Sequence, residues 1–358
     1  MIDSLCLFLK KWIGSPENYG YLNASLRARS TSFLQGEQYA SLARGGLRGV
    51  EAFLLESRYA RAYRLELVST ETSSLKRLET ALALGVAEEL HFVRSLAQGE
   101  PAALLSVLLA RADLHNGRLL LRSFAVPRRD ALLQPLWHEY GSISGDLYHE
   151  LWESASLLEL CERCRAVVHP FAGAIGEAAA ALARGHPLVV AERRFRLGIL
   201  EALRSEISSF SSSNVARVRE YLGRLIDLWN IGIWLRHHTG YEETPHQESE
   251  YVPEGYALPS HRLVLARSLA EVVHGTPWRS WIRNIAETTP SEFQRALHGA
   301  FLQWQMGLMR KNPLGIEVAI GYVARQITEW QNLNTIVVGA ALGLSPDGIL
   351  ERLIGIKN

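Results

Sequence analysis

The sequence predicts an all-α protein assembled from repeated helical lobes. Three observations carry this. Apolar residues recur at helical spacing along nearly the whole chain. No convincing series of period-two strands, and no hairpin dipeptide with alternating flanks, breaks that pattern. Four asparagines, Asn23, Asn116, Asn230 and Asn332, recur at intervals of 93, 114 and 102 residues in what reads as one repeated helix.

Two of the asparagines share a full frame. Asp113-Leu-His-Asn116 is followed six residues on by Arg122, and Asp227-Leu-Trp-Asn230 by Arg236. Asn23 keeps the arginine as Arg29, and Asn332 keeps the acid, three residues earlier, as Glu329. A second element follows at a fixed distance. Gly141 and Gly255 each lie 25 residues after their asparagine, and each is soon followed by a helix starter, Ser144 or Pro259. The first unit carries Gly45-Gly46 at plus 22 and 23, and the last carries Ser345-Pro346 at plus 13 and 14, a shortened connection.

Asparagine is a poor helix-interior residue because its amide competes for backbone hydrogen bonds. Its return in a helical frame implies a partner, and a loop backbone on the same lobe fits. The acid three residues earlier shares that helix face, so acid and amide can grip one neighbouring group. Asn23, Asp113, Asn116, Asp227, Asn230, Glu329 and Asn332 are therefore expected to structure the lobes. The arginine lies about 600° further round the helix and points elsewhere. It reaches an adjacent lobe or a partner, or it serves inside its own lobe.

Between these markers the elements read as follows. Leu75, Leu78, Leu82 and Leu84, then Val86, Leu90 and Val93, form one helical stripe. Ala172 to Ala183 is rich in the best helix former. Ile199, Leu200, Leu203 and Ile207 form another stripe. Breaks fall at Ala125 to Asp130, at Ser208 to Ser213 with Asn214 as the cap of the next helix, and from Thr239 to Gly255, which reads as an exposed loop.

The 358 residues suffice for two or three domains, and 47% apolar content supports sizeable cores. A net charge of +1 gives no bulk field toward nucleic acid or an anionic membrane. Of the 38 basic residues, 33 are arginine, which suits permanent planar contacts with carboxylates. No apolar run reaches the roughly 18 residues that span a bilayer. Residues 1–18 read as an extension, either a short interfacial helix built on Leu5, Leu7, Phe8, Leu9, Trp12 and Ile13 or an arm packed on a lobe. Asp3 and the late Lys10-Lys11 oppose a secretory signal. Three cysteines offer no disulfide framework and fit a reducing cytoplasm.

Catalytic signatures are missing. Neither H-E-x-x-H, G-x-S-x-G nor a phosphate loop occurs, and Gly45-Gly-Leu-Arg-Gly49 does not match a dinucleotide fingerprint. Cys161-Glu-Arg-Cys164 is one C-x-x-C where zinc wants four ligands, so it reads as small core residues. Glu88-Glu89 and Glu242-Glu243 are adjacent acids that point apart or into solvent. His237-His238 favours a helix C-terminus, and Trp229, Trp234, Trp278, Trp281, Trp304 and Trp330 read as core.

The chain then resembles a known family. Asn312-Pro-Leu-Gly315-Ile316, Tyr322, Glu329-Trp-Gln-Asn332-Leu333 and Gly343-Leu-Ser-Pro346 resemble its C-terminal signature. Tyr21-Leu-Asn23-Ala-Ser-Leu-Arg27-Ala-Arg29 resembles its N-terminal helix, and the two Asp-Leu-x-Asn frames match its internal helices. The family is the central-rotor subunit of V-type and A-type rotary ATPases, known in bacteria and archaea as the C subunit and in eukaryotes as the d subunit. The resemblance implies three similar helical lobes around a pseudo-threefold axis, forming a funnel that sits on the membrane proteolipid ring and receives the tip of the central axle. It implies no active site, no cofactor and no metal, no nucleic acid partner, and a peripheral place on the cytoplasmic face of the membrane. In that frame the lobes run 19–129, completed by the C-terminal helix, then 130–243, then 244–358. Arg27, Arg29, Arg122 and Arg236 are the expected socket or junction contacts. One departure stands out: Val338 occupies the plus-six position after Asn332. Two rival readings are a helical scaffold unrelated to ATPases and a metal-dependent helical enzyme using Cys161, Cys164 and a histidine.

Overall fold

A computed structural model of the chain describes residues 19–356 apart from 69–72, 127–135, 239–246 and 282–288. The described residues contain helices and no strand. The proposed extension 1–18 and the Pro127 to Asp130 break lie outside them, as do Glu242, Glu243 and Pro245. The chain divides into two compact units. Unit 1 joins the described residues of Met1–Leu108, His138–Tyr140 and Leu302–Asn358, and unit 2 those of Leu109–Trp137 and Gly141–Phe301.

In unit 1, α1 (Tyr19–Arg29), α2 (Gly36–Glu56), α3 (Ala60–Val68) and α4 (Ser74–Ser95) are followed by α5 (Glu100–Leu109). Leu78, Leu82, Val86, Leu90 and Val93 of α4 are fully buried, as their spacing predicts. The long α15 (Glu317–Ala341) packs against α1, α2 and α4 and is buried on nearly all sides. The first and last marker helices therefore lie against one another. The short α16 (Pro346–Leu350) is capped by Ser345, whose Oγ accepts from Gly348 N, and it packs on α2 and α15.

Unit 2 holds α6 (Arg111–Phe124), α7 (Gly145–Trp152), α8 (Leu157–Ala166), α9 (Pro170–Ala183), α10 (Leu188–Ile207) and α11 (Ser213–His238). Next come α12 (Ser260–Leu265), α13 (Leu269–Val273) and most of α14 (Pro290–Leu308). The alanine-rich α9 packs between α8 and α10, where small side chains allow close approach. Ile199, Leu200, Leu203 and Ile207 of α10 are buried. Among the described residues, no helix is long and apolar enough to cross a membrane.

Three local readings need correction. Ser212, not Asn214, caps α11, because its Oγ accepts from both Asn214 N and Val215 N, 3.2 and 3.3 Å away. Gly45-Gly46 is not a connection after the first marker. It lies inside α2, where Gly46 takes φ 58° and kinks the helix. The loop before Gly255 is not simply exposed either: Tyr251 and Val252 are only 1% accessible, because the third marker helix holds them.

Candidate functional site

The marker helices α6, α11 and α15 each bury at least one face in their unit, so the polar residues on a buried face must find partners there. Asn23, Asp113, Asn116, Asp227, Asn230, Glu329 and Asn332 are all 0–2% accessible. Two of the asparagines make the same reciprocal clamp at the same distance along the chain. Asn230 Nδ2 donates to Val252 O and its Oδ1 accepts from Val252 N, at 2.8 and 2.9 Å. Asn332 clamps Ile354 in the same way at 3.1 and 2.8 Å. Both partners lie 22 residues downstream. One side-chain amide satisfies both backbone polar groups of a residue that lies outside any helix.

The acids grip the next stretch. Asp113 accepts from Ser142 N and Ile143 N at 2.8 and 3.1 Å. Asp227 accepts from Ala257 N at 2.9 Å and from Trp278 Nε1 at 3.0 Å. This explains Gly141 and Gly255. A Cβ on Gly141 would stand 2.6 Å from both Asp113 carboxylate oxygens, and one on Gly255 would stand 2.1 Å from Asp227 Oδ1. The repeated glycine is thus the space into which the repeated carboxylate fits.

The outer markers use long-range partners instead. Asn23 Nδ2 donates to Pro313 O and Gly315 O, each at 3.0 Å, within the Asn312 to Gly315 signature. Glu329 accepts from Leu34 N at 2.8 Å and from the Tyr59 hydroxyl at 2.9 Å, and it pairs with Arg58. Helices α1 and α15 are thus docked by each other's flanking loops.

The arginines meet buried glutamates. Arg29 forks onto Glu89, with Nε 2.7 Å from Oε1, and the Tyr322 hydroxyl also donates to Glu89. Burial opposes ionisation of Glu89, but those donors override it and hold its carboxyl below the ordinary range. Arg122 Nε donates to Glu192, which Arg118 and Arg196 also approach. Burial again works against the charge, and the three arginines keep the Glu192 carboxyl low. Arg27 is exposed and donates to Met309 O at 3.2 Å. Arg236 is half-buried near the end of α11, where its charge acts on Arg118 and Arg196.

Glu89, Glu192, Arg58, Arg118 and Arg196 escape a reading of the sequence. Glu88 and Glu89 do point apart, Glu88 outward and Glu89 inward. For Glu192 the one signal is Arg196 a single helical turn on. The tryptophans Trp234, Trp278 and Trp330 are buried, while the Trp281 side chain lies outside what the structure describes. His237 and His238 end α11, and His238 stacks on Trp234.

A cavity of about 260 Å³ is lined by Tyr39, Arg325, Glu329 and Asn332. Glu329 is already taken by Arg58, Tyr59 and a backbone N–H, so it is a docking carboxylate rather than a proton acceptor for a substrate. Cys161 and Cys164 are buried on α8, where Cys161 Sγ donates to Gly176 O and burial pushes the Cys164 thiol up to about 12. Metal ligation and redox attack both need a thiolate, which this site disfavours.

Asp227 sets a pH dependence. Burial pushes its carboxyl up to about 6, from an ordinary 3.8, against hydrogen bonds from Trp278 and the 256–258 backbone. The folded chain therefore keeps a proton that the unfolded chain releases between about pH 4 and 6. Its stabilising contribution, on the order of 2–3 kcal/mol, is complete below that window and lost as pH rises through it. Asp227→Asn is expected to make the slope of unfolding free energy against pH more positive across the window, as read by urea unfolding. Identical slopes in the two proteins would refute this assignment.

The chain is 23% identical over 352 residues to the A-type ATP synthase C subunit of Haloquadratum walsbyi, covering 95% of this chain and 99% of that one. It is 24% identical to the C subunit of Haloferax volcanii, over 94% of this chain and 97% of that one. To the Methanocaldococcus jannaschii C subunit it is 23% identical, covering 94% and 86%. Residues 22–352, which run from the first marker helix to beyond the last, match the family described as the ATP synthase (C/AC39) subunit, and the chain belongs to that family.

Proposed function

We propose that this chain is the non-catalytic rotor subunit of a V/A-type ATPase. It links the central axle to the membrane proteolipid ring and transmits torque for ion pumping or ATP synthesis. The observation that carries this reading is the family match over residues 22–352. The relatives' own name, the C subunit of an A-type ATP synthase, supplies the complex.

The physical requirement is stiffness in twist, and buried clamps of the Asn230 and Asn332 kind supply it. Each ties a loop backbone to a helix interior, and dense packing around it resists deformation. Three lobes at 19–129, 130–243 and 244–358, closed into a funnel, would distribute the load. The chain then works peripherally, on the cytoplasmic face of the membrane, held there through the ring. Arg29 and Arg122 each commit part of the guanidinium to a glutamate while 41% and 47% of the side chain stays accessible. Those outer edges, with Arg27 and Arg236, are the contacts proposed for the axle, because matched charges allow assembly and release.

Deleting the chain from the assembled ATPase is expected to uncouple it. ATP hydrolysis by the other subunits should persist while ATP-driven ion pumping into vesicles disappears. The tagged chain should also co-purify with axle subunits, which separates this reading from an unrelated helical scaffold. Retention of coupled pumping in its absence would overturn the proposal.

A further inference from the structure

We propose that Arg118, Arg122 and Arg196 of unit 2 form a binding site for a phosphate-class oxyanion. Arg118 and Arg122 stand one turn apart on α6, and Arg196 follows Glu192 by one turn on α10, against which α6 packs. Arg122 Nε donates to Glu192 Oε1, Arg196 Nη2 lies 3.1 Å from Glu192 Oε2, and Arg118 Nε lies 3.7 Å from the same oxygen. Three guanidinium groups thus converge on one carboxylate. Arg236 adds to the same positive field, repelling both Arg118 and Arg196.

The three arginines differ in exposure. The Arg196 side chain is 3% accessible, whereas Arg118 and Arg122 are 34% and 47% accessible. Nε of Arg196 and Nε of Arg118 are buried and have no hydrogen-bond partner among the described residues. Glu192 supplies one negative charge for the three guanidinium groups, and a buried N–H without an acceptor carries a further cost that a second anion would relieve.

Unit 1 provides an internal comparison. There the equivalent pair, Arg29 and Glu89, is completed by the neutral hydroxyl of Tyr322. Arg58 acts on Glu89 only as a further charge and not through a hydrogen bond, so the repeated helix does not require further arginines in contact with its glutamate. Glu192 is planar and its two oxygens are already engaged. A tetrahedral oxyanion presents oxygens in several directions and suits non-parallel forks that approach from two helices. Its source is either free inorganic phosphate or the terminal phosphate of a nucleotide.

Calorimetric titration of the full chain with inorganic phosphate, at constant ionic strength in chloride buffer, tests the site. Saturable binding is expected, with sulfate competing. Arg122→Gln should weaken it about tenfold or more, because one charge-assisted contact is lost. Arg44→Gln, at an exposed arginine of the other unit, should leave it unchanged. A parallel titration with ADP distinguishes the sources: preference for ADP assigns the site to a nucleotide, and preference for phosphate assigns it to the free anion. Should Arg122→Gln misfold, Arg118→Gln read by phosphate-dependent thermal unfolding replaces it. Absence of saturable heat, or equal affinity in the arginine variants, would overturn the proposal and mean that the positive excess is balanced within the chain.

Discussion

Replacing Glu329 with leucine is expected to destabilise the protein by about 3–5 kcal/mol, as measured by chemical unfolding of the purified chain. The residue is 2% accessible and satisfies three donors at once: the Arg58 guanidinium, the Tyr59 hydroxyl and the Leu34 amide. Leucine fills the volume but leaves a partly buried cation and two polar hydrogens with nothing to accept them. Glu329→Gln should cost less, because an amide oxygen still accepts from Leu34 or Tyr59. Because Leu34 precedes α2 and Glu329 lies on α15, the loss also loosens the junction between the two ends of the chain. A Glu329→Leu protein within about 1 kcal/mol of the parent would show that this network is replaceable by packing alone.

Gly255→Ala is expected to destabilise by about 2–4 kcal/mol, through overpacking and through displacement of a buried carboxylate from its donors. The effect is not conformational, because Gly255 does not adopt a positive φ. It is a collision, since the added carbon would lie 2.1 Å from Asp227 Oδ1. A built-in control follows from that geometry. In an Asp227→Ala background, where the colliding group is gone, the penalty of Gly255→Ala should fall by at least about 1 kcal/mol. Strictly additive costs would refute the contact as the reason for the glycine. Gly141→Ala against Asp113 should behave alike, with a smaller penalty, because its contact is 2.6 Å.

The glycine at plus 25 and the acid at minus three are both visible in the sequence as a repeated interval. Their physical relation is not, because a spacing says nothing about which atoms touch. Asn230 and Asn332 are legible as helix residues needing a backbone partner, and each has one 22 residues on. The same spacing logic puts Gly45-Gly46 in the first unit's connection, and there it fails, because the pair sits inside a kinked helix. The loop that holds Asn23 comes from positions 290 and 292 residues away, and no local pattern reports that.

The sequence by itself determined the helical class, the marker helices and the burial of their apolar stripes. These are properties of neighbours three or four residues apart, where helix periodicity acts. Only the tertiary structure decided which carboxylate each arginine meets. Glu89 lies 60 residues from Arg29 and Glu192 lies 70 residues from Arg122, so the two equivalent pairs do not share an interval. Nor could local order show that three cations gather on Glu192 while Tyr322 completes the pair at Glu89. A charged side chain in the interior takes its partner from whatever element folds against it, and that choice is made by packing across the chain rather than along it.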